Sequence, residues 1–346
     1  MDEADVVAKL EFLFTDFIKQ LSIVPSKIVL RTSYDESAFQ LSYSGRHSKK
    51  LASDIFCFQQ IYKLVLLGKS STKRDLYYEN ANLYGSQSTC DRSITSACEI
   101  LGCQRKELNV TSCSKGLLQG SLSFLKNGTD LIDARLQNIL ISEDLMDHKV
   151  ISDAEFILVV EKEATFQKLK DEDMFRFFKR SILITGKGYP DICTRLFVRW
   201  LREKLQIPVY GFFDCDPHGI EIFLTYKFGS SKDNSEGKDA YISDIGWIGV
   251  YPSDMHLYPI DDNQFIPLKN SDFRKIDQLE KRARTFGEHE VVSELTILRS
   301  ERHKLELEAI SSIGCCFITR VFLQSKLTPL LSAVNNTLEA FSEDSF

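Results

Sequence analysis

Between residues 155 and 251, short apolar runs alternate with amphipathic stretches, and acidic residues stand at the ends of the runs. EFILVV (155–160), SILIT (181–185), IPVYGFFD (207–214) and WIGVY (247–251) read as buried strands, while 164–179, Asp191–Leu205 and Pro217–Tyr226 read as helices. Strands alternating with helices specify an open parallel sheet, an α/β architecture. Ligands of such sheets sit beyond the carboxyl ends of the strands. Glu161 follows the first run directly, and Asp214 and Asp216 end the third. In extended chain, residues two apart point the same way. Three carboxylates sent to one place repel each other unless a cation lies among them, and hard oxygen donors suit Mg²⁺. No cysteine stands among these three positions, which argues against zinc. A single acid at a strand end is more often a helix cap. The joint pattern, a strand-end Glu and then Asp-x-Asp-Pro about 53 residues later, is far more specific. Glu163 is a competing ligand inside the following helix. Pro217 suits a first helical turn, and Gly219 permits a close approach of backbone or phosphate.

The amino-terminal part reads differently. Residues 6–21 have helical spacing, and Ser53–Leu67 reads as a buried helix with Ser53 or Asp54 near its cap. Thr72-x-x-Asp75 resembles a capping box opening a short helix, and another helix covers about 88–101. Two β-like runs follow, LNVTSC (108–113) and LLQGSLSFL (117–125). Three helices and a two-stranded wing are the order of a winged helix-turn-helix. Residues 45–115 hold eleven Lys and Arg against six Asp and Glu. This segment is therefore +5 in a chain whose net charge is −6, leaving the remainder at −11. Such a regional split is the footprint of phosphate contact. The expected layout is an N-terminal helical extension (1–45), the winged-helix domain (46–127), a linker (128–153), an α/β domain closed by helices around 271–284, 288–313 and 315–335 (154–335), and a polar tail (336–346), with a mobile loop at 229–245.

Several classes drop out. No apolar run reaches the roughly 18 residues of a membrane span. The opening Met1-Asp2-Glu3-Ala4-Asp5 is acidic where a secretion signal is basic, so secretion is not expected. The nine cysteines are odd in number and contain no C-x-x-C pair, which fits reduced thiols in the cytosol or nucleus. Gly68-Lys69-Ser70 lacks the first glycine of a phosphate-binding loop, and Gly186-Lys187-Gly188 lacks the third glycine of a dinucleotide fingerprint.

The basic segment also holds Tyr77 and Tyr78. A tyrosine can serve as a phosphoryl nucleophile, but with a pKa near 10 its ionisation at pH 7 costs roughly 4 kcal/mol, so a cation or base must help. Arg74 lies four residues before Tyr78, and Lys73 stands in the same relation to Tyr77. Spacing alone therefore leaves both tyrosines open, alongside the commoner role of a helical tyrosine packed on a core.

Six ordered stretches, KRDLYY (73–78), SKGLLQG (114–120), VVEKEATFQKL (159–169), TGKGYPDICTR (185–195), DCDPHGIEI (214–222) and WIGVYPSD (247–254), resemble the topoisomerase VI A subunit family. They are most similar to its eukaryotic branch, the meiotic recombination proteins that break DNA. The resemblance spans about residues 50–330 and implies a winged-helix domain followed by a Toprim domain. It carries the nucleophile onto Tyr78 with Arg74 beside it. It makes Lys73, Lys115 and Tyr189 DNA contacts, with Lys115 on the wing, and it makes Glu161, Asp214 and Asp216 ligands of Mg²⁺, for which Mn²⁺ can substitute. His218 departs from the tyrosine usual at its position. The implied activity is a transesterification that forms meiotic double-strand breaks through a 5′-phosphotyrosyl link. Resealing by a type IIB topoisomerase A subunit is the alternative, and an inactive DNA-binding scaffold is the rival of a different class. The implied partners are double-stranded DNA, a second copy of the chain, a B-like subunit that would carry any ATP site, and accessory break-forming proteins, in the nucleus and without a membrane.

Overall fold

In the computed structural model, the described residues are 3–23, 27–35, 39–44, 47–111, 114–126, 128, 130–230, 237 and 239–343, with side chains described as far as Ala333. The chain divides into two compact units, Met1–Cys113 and Ser114–Phe346.

The first unit opens with α1 (Glu3–Ile23) and the antiparallel pair β1 (Lys27–Leu30) and β2 (Leu41–Ser44). Next come α2 (Ser48–Leu66), β3 (Ser71–Thr72), α3 (Lys73–Glu79), α4 (Ala81–Tyr84), α5 (Gln87–Leu101) and β4 (Val110–Thr111). Leu10 and Leu13 of α1, Phe58 and Ile61 of α2, Leu76 of α3 and Ile94 and Ala97 of α5 share one buried core. The capping box forms as the sequence suggests: Asp75 N–H donates to Thr72 Oγ1 at 3.1 Å and Thr72 N–H returns to Asp75 Oδ2 at 3.3 Å. The start of α2 differs from expectation. The helix begins five residues before Ser53, and Asp54 is buried within it rather than capping it. There Asp54 accepts from Ser93 Oγ at 2.6 Å and from the Tyr43 hydroxyl. A buried carboxylate needs such donors.

The expected wing is corrected. β4 pairs in parallel with β3, through Ser71↔Val110 and Thr72↔Thr111. The run after it belongs to the second unit, as β5 (Leu117–Gly120) and β6 (Leu122–Lys126). Residues 128–153 are not a bare linker either: they carry β7 (Asp130–Asp133), β8 (Ile139–Leu140) and β9 (Lys149–Ser152), and β7 and β9 flank β6 in a three-stranded sheet. Edge strands choose partners by long-range packing, which local spacing does not record.

The core of the second unit is a six-stranded sheet. Its parallel strands are β10 (Phe156–Val160), β11 (Ser181–Thr185), β12 (Val209–Phe212) and β13 (Gly246–Gly249), in the order β13-β12-β10-β11, and β5 and β8 extend it antiparallel. All five residues of β10 and of β11 are buried. Successive side chains face opposite sides of a strand, so both faces of the sheet are covered. The connecting helices are α6 (Glu163–Asp171), the short α7 (Met174–Phe177), α8 (Ile192–Leu205) and α9 (Pro217–Phe228). The single helix expected over 164–179 is broken at Asp173, which has φ +55°.

Beyond β13 come β14 (Ile266–Pro267), α10 (Asn270–Thr285), α11 (His289–Glu301), β15 (His303–Lys304), α12 (Leu307–Ser312) and α13 (Leu323–Glu343). The helix expected over 288–313 stops at Arg302 (φ +58°), where β15 turns back to pair with β14. The last helix runs to Glu343, so most of the expected polar tail continues it, and 344–346 lie outside the described residues. Of the expected loop at 229–245, residues 231–236 and 238 lie outside them too.

Candidate active site

Within the second unit, Glu161 directly follows β10, and Asp214 and Asp216 follow β12, all at the carboxyl edge of the parallel strands. Each carboxylate has one oxygen fixed by backbone. Glu161 Oε2 accepts from Asp214 N–H at 2.9 Å, Asp214 Oδ1 from Leu307 N–H at 2.9 Å, and Asp216 Oδ1 from His218 and Gly219 N–H at 2.8 and 2.7 Å. Asp216 is thus also the N-cap of α9, with Pro217 in its first turn. Gly219 is needed for close approach to backbone: a Cβ there would lie 2.2 Å from the Asp214 carbonyl oxygen. The second oxygens of the two aspartates meet lysines. Lys162 Nζ is 3.0 Å from Asp214 Oδ2, and Lys304 Nζ is 3.8 Å from Asp216 Oδ2.

Burial governs the protonation of the pair. It raises the Glu161 carboxyl to about 8, with the Asp214 charge adding to the effect. It raises Asp214 to about 6, against the opposing pull of the Leu307 N–H and Lys162. Burial also disfavours the charged form of Lys162, but Asp214, Glu308 and Glu306 outweigh it and hold the ammonium above the ordinary lysine range. Glu163, the competing acid, is instead ion-paired with Lys187 at 3.0 Å. Among the described residues no three His, Cys, Asp or Glu side chains stand close enough together to form a finished cation cage. The chemistry of the donors nevertheless fits a hard divalent cation: hard carboxylate oxygens oriented by backbone N–H groups, two of them paired only with a lysine ammonium.

In the first unit, α3 separates the two tyrosines. Tyr78 is 69% exposed. Tyr77 is half-buried against the core, its ring centroid 6.4 Å from that of the buried Tyr84. Arg74 is exposed on the same short helix. The helix is held from beneath by Gln60, which donates to Leu76 O at 3.0 Å and Glu79 Oε2 at 2.7 Å and accepts from the Tyr84 hydroxyl at 2.6 Å. Of the two tyrosines, Tyr78 presents its hydroxyl to solvent on a rigid base.

Residues 156–327 match the family model for the Toprim domain of the topoisomerase 6 A subunit/Spo11 proteins, and residues 49–110 match that of Type IIB DNA topoisomerase. The meiotic recombination protein spo-11 of Caenorhabditis elegans is 43% identical over 319 residues, which cover 92% of this chain and 75% of the relative. The chain belongs to the topoisomerase VI A subunit/Spo11 family. The mouse (Mus musculus) meiotic recombination protein SPO11 is 33% identical, covering 94% of this chain and 87% of its own length. The A subunit of DNA topoisomerase 6 from Arabidopsis thaliana is 33% identical over 77% of this chain and 63% of the relative. Toprim domains are a divalent-metal-binding domain family, and the matched residues include the carboxylate edge of the second unit. No helix among the described residues is long and apolar enough to cross a membrane.

Other residues singled out in this Spo11-family chain fall as follows. Lys115 lies in the second unit, where its N–H donates to Asp191 Oδ2 at 3.1 Å and its Nζ to Lys187 O at 3.2 Å. Tyr189, 43% exposed, shares its hydroxyl between His218 Nδ1 at 2.9 Å and Glu221. Burial and the Glu221 carboxylate push that hydroxyl well above the ordinary tyrosine range, which disfavours it as a nucleophile. Lys73 gives its carbonyl to Gln87 Nε2 at 3.1 Å, joining α3 to α5. Sequence reading missed Lys162, Lys304, Glu306 and Leu307. The only local signal was the lysine following Glu161; the others arrive through the break after α11.

Proposed function

We propose that this chain is a DNA-cleaving transesterase that forms meiotic double-strand breaks. The observation that carries the reading is the difference between neighbours on α3: Tyr78 is exposed beside an exposed Arg74, whereas Tyr77 is packed against the core. In the reaction the Tyr78 oxygen attacks a DNA phosphorus. A P–O bond to the 5′-phosphate forms as the bond to the 3′-oxygen breaks, and the leaving oxygen takes up a proton to become a 3′-hydroxyl. The Tyr78 proton must leave, at a cost of roughly 4 kcal/mol at pH 7 for an unassisted phenol. Arg74 is the cation available to offset that cost and to hold the phosphate by bidentate hydrogen bonds.

Glu161, Asp214 and Asp216 are the residues that would hold Mg²⁺, with Mn²⁺ as substitute. Such an ion, when bound, stabilises charge on phosphate and leaving oxygen or anchors adjacent DNA. Backbone N–H groups pre-orient all three carboxylates, so little ordering cost remains for binding. The helices of the first unit, from α2 to α5, serve as a helix-turn-helix DNA-binding element, and Lys73, Lys115 and Tyr189 contact DNA. The partners are duplex DNA in the nucleus, a second copy of the chain, accessory break-forming proteins and a B-like subunit. The second reading, an A subunit that reseals its breaks, draws on the 33% identity to the Arabidopsis topoisomerase 6 protein.

The test uses two variants, Tyr78→Phe and Glu161→Gln, each inactive alone, mixed under conditions of verified subunit exchange. If each site takes its tyrosine from one chain and its carboxylates from the other, a mixed dimer has one intact site. Single-strand nicking returns, with DNA covalently attached to the Glu161→Gln chain. No nicking after verified exchange refutes the shared site. Attachment to the Tyr78→Phe chain refutes Tyr78 as nucleophile.

A further inference from the structure

Lys162 and Lys304 have an arrangement that ion pairing alone does not require. Lys162 Nζ touches three carboxylates: Asp214 at 3.0 Å, Glu306 at 3.2 Å and Glu308 at 3.3 Å. An ammonium has three protons, so all are engaged. The partners differ in kind. Asp214 is 5% exposed and belongs to the candidate cation site, whereas Glu306 and Glu308 are 53% and 48% exposed and lie at the start of α12, outside it. Lys304 repeats the pattern. Its Nζ is 3.8 Å from Asp216 Oδ2 and 3.3 Å from Asp272 Oδ2, and Asp272 is fixed by Lys269 N–H at 2.9 Å. Each lysine therefore has one partner inside the acidic site and another waiting outside it.

We infer that Lys162 and Lys304 are exchangeable counter-ions of the acidic site, lying on Asp214 and Asp216 and passing to Glu306–Glu308 and Asp272 when a divalent cation binds. The inference rests on reading Glu161, Asp214 and Asp216 as the cation ligands. The exchange needs little motion. Lys162 retains two of its three acceptors when it leaves Asp214, and Lys304 is already nearer to Asp272. A lysine suits this role because its charge is compact and its four-carbon stem is flexible, whereas an arginine fork would lock onto one carboxylate. The backbone N–H on Asp214 Oδ1 is untouched, so the carboxylate keeps its orientation while Oδ2 is released. The device limits repulsion among buried carboxylates before the cation arrives, and it makes each lysine a competitor of that cation.

The test is Mn²⁺ binding by the full-length chain at fixed pH, read from the loss of the free-ion paramagnetic resonance signal. Lys162→Met is expected to lower the Mn²⁺ dissociation constant about tenfold, because a positive charge next to the site is gone. Lys304→Met should lower it less, in keeping with its longer contact. The double substitution Glu306→Gln/Glu308→Gln is expected to raise the constant about tenfold when Lys162 is present and by no more than about twofold in the Lys162→Met background. Both glutamates are half-exposed, so this arm does not depend on tolerance of a core change. An unchanged or raised constant in Lys162→Met would overturn the inference, since Lys162 would then orient Asp214 for the ion. Equal losses in both backgrounds would overturn it too, as plain long-range charge needs no exchange. Failure of the underlying ligand reading is separable: Asp214→Asn and Glu161→Gln would then leave Mn²⁺ binding as it was.

Discussion

Glu161→Gln changes one charge and almost no shape, so the placement of Glu161 yields a quantitative expectation. Burial, reinforced by Asp214, raises the Glu161 carboxyl from an ordinary 4.5 to about 8. The folded metal-free chain thus binds this proton more tightly than the unfolded chain does. The associated stability is fully present below pH 4.5 and is lost as pH rises through 8. Each unit of pH costs about 1.4 kcal/mol in the middle of that window and about half that at either end, so roughly 2 kcal/mol disappears between pH 6 and pH 8. Asp214, raised only to about 6, has given up most of its share by the start of that interval. The glutamine amide of the variant still offers an oxygen to Asp214 N–H but cannot ionise. In calorimetry of the whole chain with a chelator present, the transition of the second unit should fall by several degrees between pH 6 and pH 8 in the parent. It should stay nearly level in Glu161→Gln, making the variant the more stable protein at pH 8. Added Mg²⁺ should reverse the order by stabilising only the parent. A variant that is less stable than the parent at pH 8 without metal, or one that keeps the parent's slope, would refute the assignment of a buried, proton-holding Glu161.

Tyr78→Phe should abolish covalent attachment to DNA with unchanged thermal unfolding, because the lost hydroxyl is on an exposed side chain, whereas Tyr77→Phe should retain attachment; denaturing-gel detection of the protein–DNA adduct distinguishes them. Gly219→Ala places a Cβ against the Asp214 carbonyl, 2.2 Å away in the present backbone, and should cost about 2–4 kcal/mol in denaturant unfolding together with a large loss of Mn²⁺ affinity. Asp54→Ala strands the buried Ser93 hydroxyl and the Tyr43 hydroxyl, and should destabilise the first unit by about 2–4 kcal/mol by chemical denaturation, with the second unit's transition unmoved.

What the sequence determined by itself was whatever a few neighbouring residues encode. The alternation of runs from 155 to 251 yields β10 to β13 and their helices, since both the period of side chains and the length of a buried strand are local properties. The capping box at Thr72 and Asp75 and the acids at the strand ends are local in the same sense. Tertiary structure alone decided the rest. Tyr77 and Tyr78 are equivalent by spacing, and only the packing of Tyr77 toward Tyr84 assigns one to the core and one to solvent. β5 joins β11 rather than forming a wing, a pairing made across more than sixty residues of chain. The acidic edge was legible as three carboxylates, but not its control. Leu307 N–H reaches Asp214 from 93 residues away, and Glu306 and Lys304 come to the site only because α11 ends at Arg302 and the chain turns back. Burial, proton affinity and counter-ion choice depend on contacts between segments distant in sequence, and no local pattern carries that information.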